Sequence, residues 1–120
     1  MNRLKIIFIS AISCVCYLSV AQAADSIGDA STAALVSLCE NQNDQDAQNF
    51  CFGFGEGVYQ AFLLSRPRNA KVNICIADIK NSREMILREF LQWSKEHPQF
   101  NQEKAAKTLI RFLTHNYSCR

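Results

Sequence analysis

The apolar residues of this chain fall into two kinds of pattern. From Ile6 to Val20 they form a run without a single charge, and after Ala30 they recur at three- and four-residue spacing. The second pattern is that of helices with one buried face. Ser31 or Thr32 caps a first helix that carries Ala34, Leu35 and Leu38 to Cys39, and the polar stretch Glu40 to Asn49 reads as a loop. A second helix runs from about Phe50 to Ser65, with Phe50, Phe54, Val58, Ala61 and Phe62 on its inner face and Pro67 as the stop. The third begins near Asn81, which caps it with Glu84 three residues on in the manner of a capping box. Its stripe is Ile86, Leu87, Phe90 and Trp93, and His97-Pro98 ends it. Asn101 opens a fourth helix that turns Ala105, Ala106, Leu109, Ile110 and Leu113 inward and runs to about Asn116. Residues Asn69 to Lys80 fit no long helix, and Val72 to Ile76 suit an extended segment.

The uncharged run changes how the rest is read. It is preceded by Arg3 and Lys5 and followed by Ala21-Gln22-Ala23, the layout of a secretory signal peptide with cleavage after Ala23 and Ala24 as the new N-terminus. The run is shorter than the roughly 20 residues that span a bilayer. A lipid-attachment box at Ala11-Ile12-Ser13-Cys14 fits less well, because Val15 to Val20 are still apolar where a lipoprotein turns polar. Residues 1–23 are therefore expected to be a signal peptide and residues 24–120 one small helical domain, exported to the periplasm and without a membrane segment once cleaved. The chain has 13 Lys and Arg against 11 acidic residues. Loss of Arg3 and Lys5 balances the two, so the net charge favours neither nucleic acid nor anionic lipid. The charge is nonetheless uneven: Asp25, Asp29, Glu40, Asp44, Asp46 and Glu56 all precede Arg66, the first basic residue after Lys5.

Export also decides the cysteines. Cys14 and Cys16 leave with the signal, and Cys39, Cys51, Cys75 and Cys119 remain, an even number bound for an oxidising compartment. Zinc sites usually bring cysteines in close C-x-x-C pairs, and no two of these are that near. With short connections the four helices predict an all-α fold, a small antiparallel four-helix bundle stapled by two disulfides. The end of the first helix and the start of the second share one pole, which pairs Cys39 with Cys51. The start of the third and the end of the fourth share the other, which pairs Cys75 with Cys119. On the loop-entropy account these closures contribute about 3 and about 4 kcal/mol.

Candidate chemistry is thin. His97 and His115 are the only histidines, each beside a helix end, and no free thiol is expected near either. Glu56 is a lone carboxylate. Gly53, Gly55 and Gly57 superficially suggest a phosphate loop, but neither the G-x-G-x-x-G spacing nor a strand before it is present. Gly53 and Gly57 lie one turn apart, where they would let another helix approach closely and so offset roughly 1 kcal/mol of lost helix propensity each. No cofactor and no metal are expected, and the chain does not read as an enzyme.

Taken together, Leu38-Cys39, Phe50-Cys51-Phe52-Gly53-Phe54-Gly55-Glu56-Gly57, Cys75, the His97-Pro98 helix end, Ala105-Ala106 and Tyr117-Ser118-Cys119 resemble the Rap/Tai immunity proteins. These are helical periplasmic proteins associated with type VI secretion, and the resemblance spans nearly all of the chain after the signal. The chain departs from the family pattern at Ile76-Ala77-Asp78 and at Ser118, where a proline is common. The resemblance implies an inhibitor that binds a peptidoglycan amidase effector injected by neighbouring cells. Its protein-binding surfaces would be the acidic stretch Asn41 to Asn49, with Asp44 and Asp46, and the basic stretch Arg66 to Asn73, with Arg66 and Arg68. Such a chain also admits a homodimer. The reading from a different class is a periplasmic acid-stress chaperone of the HdeA type, with the carboxylates as trigger.

Overall fold

The computed structural model describes residues 29–76 and 82–120. The signal peptide expected over residues 1–23, its cleavage site and the capping role expected of Asn81 lie outside those residues. Among the described residues four α-helices follow in order: α1 (Thr32–Cys39), α2 (Gln45–Ser65), α3 (Arg83–Glu96) and α4 (Ala105–Asn116), with a 3-10 turn at Pro98–Phe100. Among the described residues there is no strand, only the isolated bridges Ser31 to Lys104 and Ile74 to Ser118. The fold is the expected all-α one with both expected disulfides, Cys39–Cys51 and Cys75–Cys119.

Local chemistry sets the helix ends. Ser31 caps α1 by accepting from the Ala34 amide at 3.2 Å. The second helix starts at Gln45, several residues before the expected Phe50, because Asp44 accepts from the amides of Asp46 and Ala47 and satisfies donors that a loop would leave to water. The cap of α3 is Ser82, which accepts from the Met85 amide at 3.2 Å, rather than Asn81. The fourth helix begins at Ala105 and not at Asn101, since the intervening carbonyls serve α1 instead. Thr32 donates its amide to the Glu103 carbonyl and Ala33 donates to that of Asn101, while the Ala105 amide returns to Ala30. The short α1 thus starts beside the start of α4.

The core is aromatic and centred on α3 and α4. Phe90 and Phe112 meet edge to face with centroids 5.5 Å apart, and Phe112 also lies against Trp93 and Tyr117. Leu35, Cys39, Cys51, Ile74, Leu91, Leu109 and Leu113 complete it. Each fully buried side chain of this size stabilises the fold by about 1.5–3 kcal/mol. The inner face of α2 is rotated relative to expectation. Ala47 and Cys51 are buried and Phe54, Val58, Tyr59 and Phe62 are partly so, whereas Phe50 is 53% exposed and Ala61 is exposed. The Cys39–Cys51 bridge fixes this: Cys51 must face α1, and Phe50, one residue earlier, is carried about 100° around the helix. In α1 and α4 the same geometry leaves Leu38 and Ala106 outward, while Thr108 and Phe112 are fully buried.

Candidate partner-binding surface

Two surface stretches flank α2, and the structure treats them differently. At its start, Asn41 to Asn49 is tied to the fold by its own polar groups. Asp44 is committed to the helix cap, and the Gln48 side chain donates to the carbonyls of Cys39 and Asn41 at 3.0 and 3.1 Å. Glu40, just before it, pairs with Lys95 of α3 at 2.9 Å. Asp46 remains exposed and, among the described residues, has no side-chain partner.

Beyond the end of α2 the chain runs exposed from Pro67 to Asn73. Arg66 donates to the Ala70 carbonyl and lies over the Phe62 ring at 5.8 Å, and the Ala70 amide closes a turn on Pro67 at 2.9 Å. The far end is clamped. Ile74 is buried, the Cys119 amide donates to Asn73 and that of Cys75 to Tyr117, and the Cys75–Cys119 disulfide locks the junction. Between these anchors Arg68 and Lys71 are exposed without a described side-chain partner, and Val72 is 47% exposed. Of the four residues expected to meet a partner, Asp44 and Arg66 therefore hold corners of the fold, while Asp46 and Arg68 stand free at opposite ends of α2.

An apolar groove of about 590 Å³ opens beside the clamped end, lined by Phe52, Tyr59, Val72, Ile76, Ile86 and Leu87 among others. The Arg83 guanidinium sits 4.5 Å over the Phe52 ring at its edge and pairs with Glu84, whose carboxyl it holds below the usual range. Gly55 also lines this groove. Gly53 and Gly57 were expected to admit a neighbouring helix; apart from their chain neighbours and the backbone of α2 itself, no described atom comes within 4 Å of where a Cβ would stand at Gly53, Gly55 or Gly57. The outer face of α2 is open, so no helix of the described fold packs closely there.

The remaining polar chemistry is structural. His97 Nδ1 lies 2.7 Å from the Trp93 carbonyl with its ring stacked on Trp93, and His115 Nδ1 lies 2.8 Å from the Asn116 side chain. Among the described residues no group of three or more His, Cys, Asp or Glu is gathered to hold a metal. A polar cluster at the α1–α4 junction escaped sequence reasoning. The Thr32 hydroxyl donates to Thr108 at 2.7 Å, and Thr108 donates to Glu103, which also takes Lys107 at 2.7 Å and Arg111 at 3.1 Å. Lys107 first, then Arg111 and Thr108, hold the Glu103 carboxyl down to about 2. Tyr117 donates to Glu89 at 2.6 Å, and its burial and the Glu89 charge both raise the phenol.

The family model described as Rap1a immunity proteins matches residues 31–119, most of the chain. No curated protein and no solved structure matches.

Proposed function

The chain belongs to the Rap1a immunity protein family, and on that footing we propose that it is a periplasmic protein that protects its cell by stoichiometric binding to a type VI peptidoglycan amidase effector, without turnover of its own. The observation that carries the reading is the family match together with a doubly anchored, exposed loop. The stretch Arg66 to Asn73 is held at one end by Arg66 and the Pro67 turn, and at the other by the Cys75–Cys119 bridge. A loop ordered before it meets its partner loses little conformational freedom on docking. Arg68, Lys71 and Val72 are what it offers to an enzyme cleft. The Asn41 to Asn49 stretch, whose polar groups are largely spent on α1 and α2, is the weaker candidate.

Export with cleavage after Ala23 belongs to the same reading. Both disulfides suit an oxidising compartment, and no helix among the described residues is long and apolar enough to cross a membrane. An interface of roughly 800 Å² per partner is ordinary for a tight inhibitor and within reach of a loop and its surroundings.

The test is co-expression with amidase effectors directed to the periplasm, followed by pulldown and a lysis assay. Rescue from lysis by the unsubstituted chain, reduced by Lys71→Glu with Val72→Asp while the helical signal is unchanged, is the expected result. Failure to bind or block any such amidase, with suppression of client aggregation at low pH instead, would replace the immunity reading by the chaperone one.

A further inference from the structure

The apolar groove beside the clamped end of the loop is shared by all four helices. Leu35 of α1, Phe52 and Tyr59 of α2, Phe90 of α3 and Leu109 and Leu113 of α4 all line it. Cys39, Cys51 and Cys75 border it as well, so both disulfides hold its walls in place before any ligand arrives. At about 590 Å³ it is of a size that takes a small organic molecule, and it lies between the helices of a bundle, where such sites are common. Gly55 is a second sign of kept space. It lines the groove, yet apart from its chain neighbours and the backbone of α2 no described atom lies within 4 Å of where its Cβ would stand. Packing of the described residues therefore does not require a glycine there, although alanine would serve the helix better.

The apolar lining carries two charged residues, Arg83 and Glu56, both exposed. The Arg83 guanidinium is steadied 4.5 Å over the Phe52 ring and gives its Nε to Glu84 at 2.9 Å, which leaves its two terminal nitrogens without a described partner. Glu56 accepts from the Gln60 side chain through Oε1 at 2.8 Å, and its other oxygen has no described partner. Phe52 and Glu56 are four residues apart on α2, so the cation over Phe52 and the carboxylate stand roughly one helical pitch, about 5.4 Å, from each other along the helix. One positive and one negative group at that spacing suit a head that carries both signs.

We propose that the groove binds a single-chain phospholipid, with its acyl chain between the four helices and its phosphoethanolamine head over Arg83 and Glu56. The phosphate takes the outer nitrogens of Arg83 as a charge-assisted pair, and the ammonium, joined to it by a short ethylene link, reaches the Glu56 carboxylate. A fatty acid would use Arg83 alone and face the Glu56 charge uncompensated. An uncharged amphiphile would use neither. The inference does not rest on the immunity reading, because its readout is lipid binding rather than amidase binding.

The experiment is calorimetric titration of the oxidised chain with lysophosphatidylethanolamine of increasing acyl length, each below its micelle threshold. Saturation at one lipid per chain is expected, with the negative heat-capacity change of apolar burial. Affinity should rise by about fourfold for each added methylene until the groove is full, and then level off. A fatty acid, a lysophosphatidylglycerol or a monoacylglycerol of the same chain length should bind about tenfold more weakly or worse. Arg83→Glu should remove the preference for the phosphoethanolamine head. Gly55→Leu puts a side chain into the groove and should shorten the acyl chain at which affinity levels off, while the helical signal is kept. Equal affinity for all four heads, or no binding at any acyl length, would overturn the proposal. So would a Gly55→Leu chain that keeps the parent's affinity and length dependence, since the lipid would then lie elsewhere.

Discussion

The fourth helix buries Ala105, Thr108, Leu109, Phe112 and Leu113 within 12 residues, whereas the second, at 21 residues, buries only Ala47 and Cys51. The shorter helix does most of its work inside the molecule. The longer one carries three glycines that meet nothing and leaves Phe50 and Leu64 in solvent. Helices are held in small domains mainly by an apolar face against a core. The second helix is held by a partly buried inner face, with Phe54, Val58, Tyr59 and Phe62 against the core, and by staples at its ends: the Asp44 cap, the Cys39–Cys51 bridge and the Arg66 turn. The lesson is a division of labour, with α3 and α4 forming most of the aromatic core and the outer side of α2 left exposed.

The division is broken most forcefully at Phe112. Phe112→Ala empties the centre of the aromatic core and is expected to cost about 3–5 kcal/mol, read from urea unfolding. Leu64→Ala on α2 should stay within about 0.5 kcal/mol of the parent in dilute solution. Comparable losses at the two sites would remove the contrast.

The disulfides sharpen the same comparison. The bridge at the start of α2 is enclosed, with Cys39 at 1% and Cys51 at 4% exposure, while Cys75 is exposed. Under limiting reductant Cys75 and Cys119 should therefore take up alkylating label first, as peptide mapping would show. Replacing Cys39 and Cys51 by serine should cost up to about 3 kcal/mol and replacing Cys75 and Cys119 up to about 4, with the larger cost at the clamp of the Arg66 to Asn73 loop. Earlier labelling of Cys39 and Cys51 would mean that the start of α2 opens more readily than the loop clamp.

Acid probes the junction that fixes α4. Lys107, Arg111 and Thr108 lower the folded-state value of Glu103, so its contribution is complete above the ordinary value of 4.5 and is lost as the pH falls through about 2. Stability measured across that window should decline more steeply in the parent than in Glu103→Gln. Parallel curves would show that the cluster does not couple α1 to α4.

These outcomes also mark what could be seen in the sequence. Helical periodicity located four helices, and the sharing of poles by helix ends paired the cysteines, because both depend on short-range spacing and connection length. The rotation of α2 is missed when periodicity is read with Phe50 inward, although the expected Cys39–Cys51 bond already requires Cys51 to face α1. The start of α2 was hidden by Asp44, whose polarity reads as loop until its amide partners are known. The Thr32, Thr108 and Glu103 cluster joins residues more than 70 positions apart and carries no apolar signal. At the candidate surface the stretch Arg66 to Asn73 was legible as a polar gap after Pro67. Which of its residues close the turn and which stand free depends on contacts that composition does not record. The glycines of α2 were legible as unusual, but whether the space above them is filled is a property of the packed molecule.

The most direct test of the central claim is thermal unfolding of Gly53→Ala with Gly57→Ala at low protein concentration. If the outer face of α2 takes no part in the chain's own fold, each alanine lowers only the helix's conformational cost. The pair should then be stabilised, by up to about 1 kcal/mol per site, which raises the midpoint by roughly 4–8 °C per kcal/mol in a domain of this size. A midpoint below that of the parent, with the helical signal reduced, would mean that something within the chain needs those two positions bare, and the division of labour between α2 and the core would be wrong.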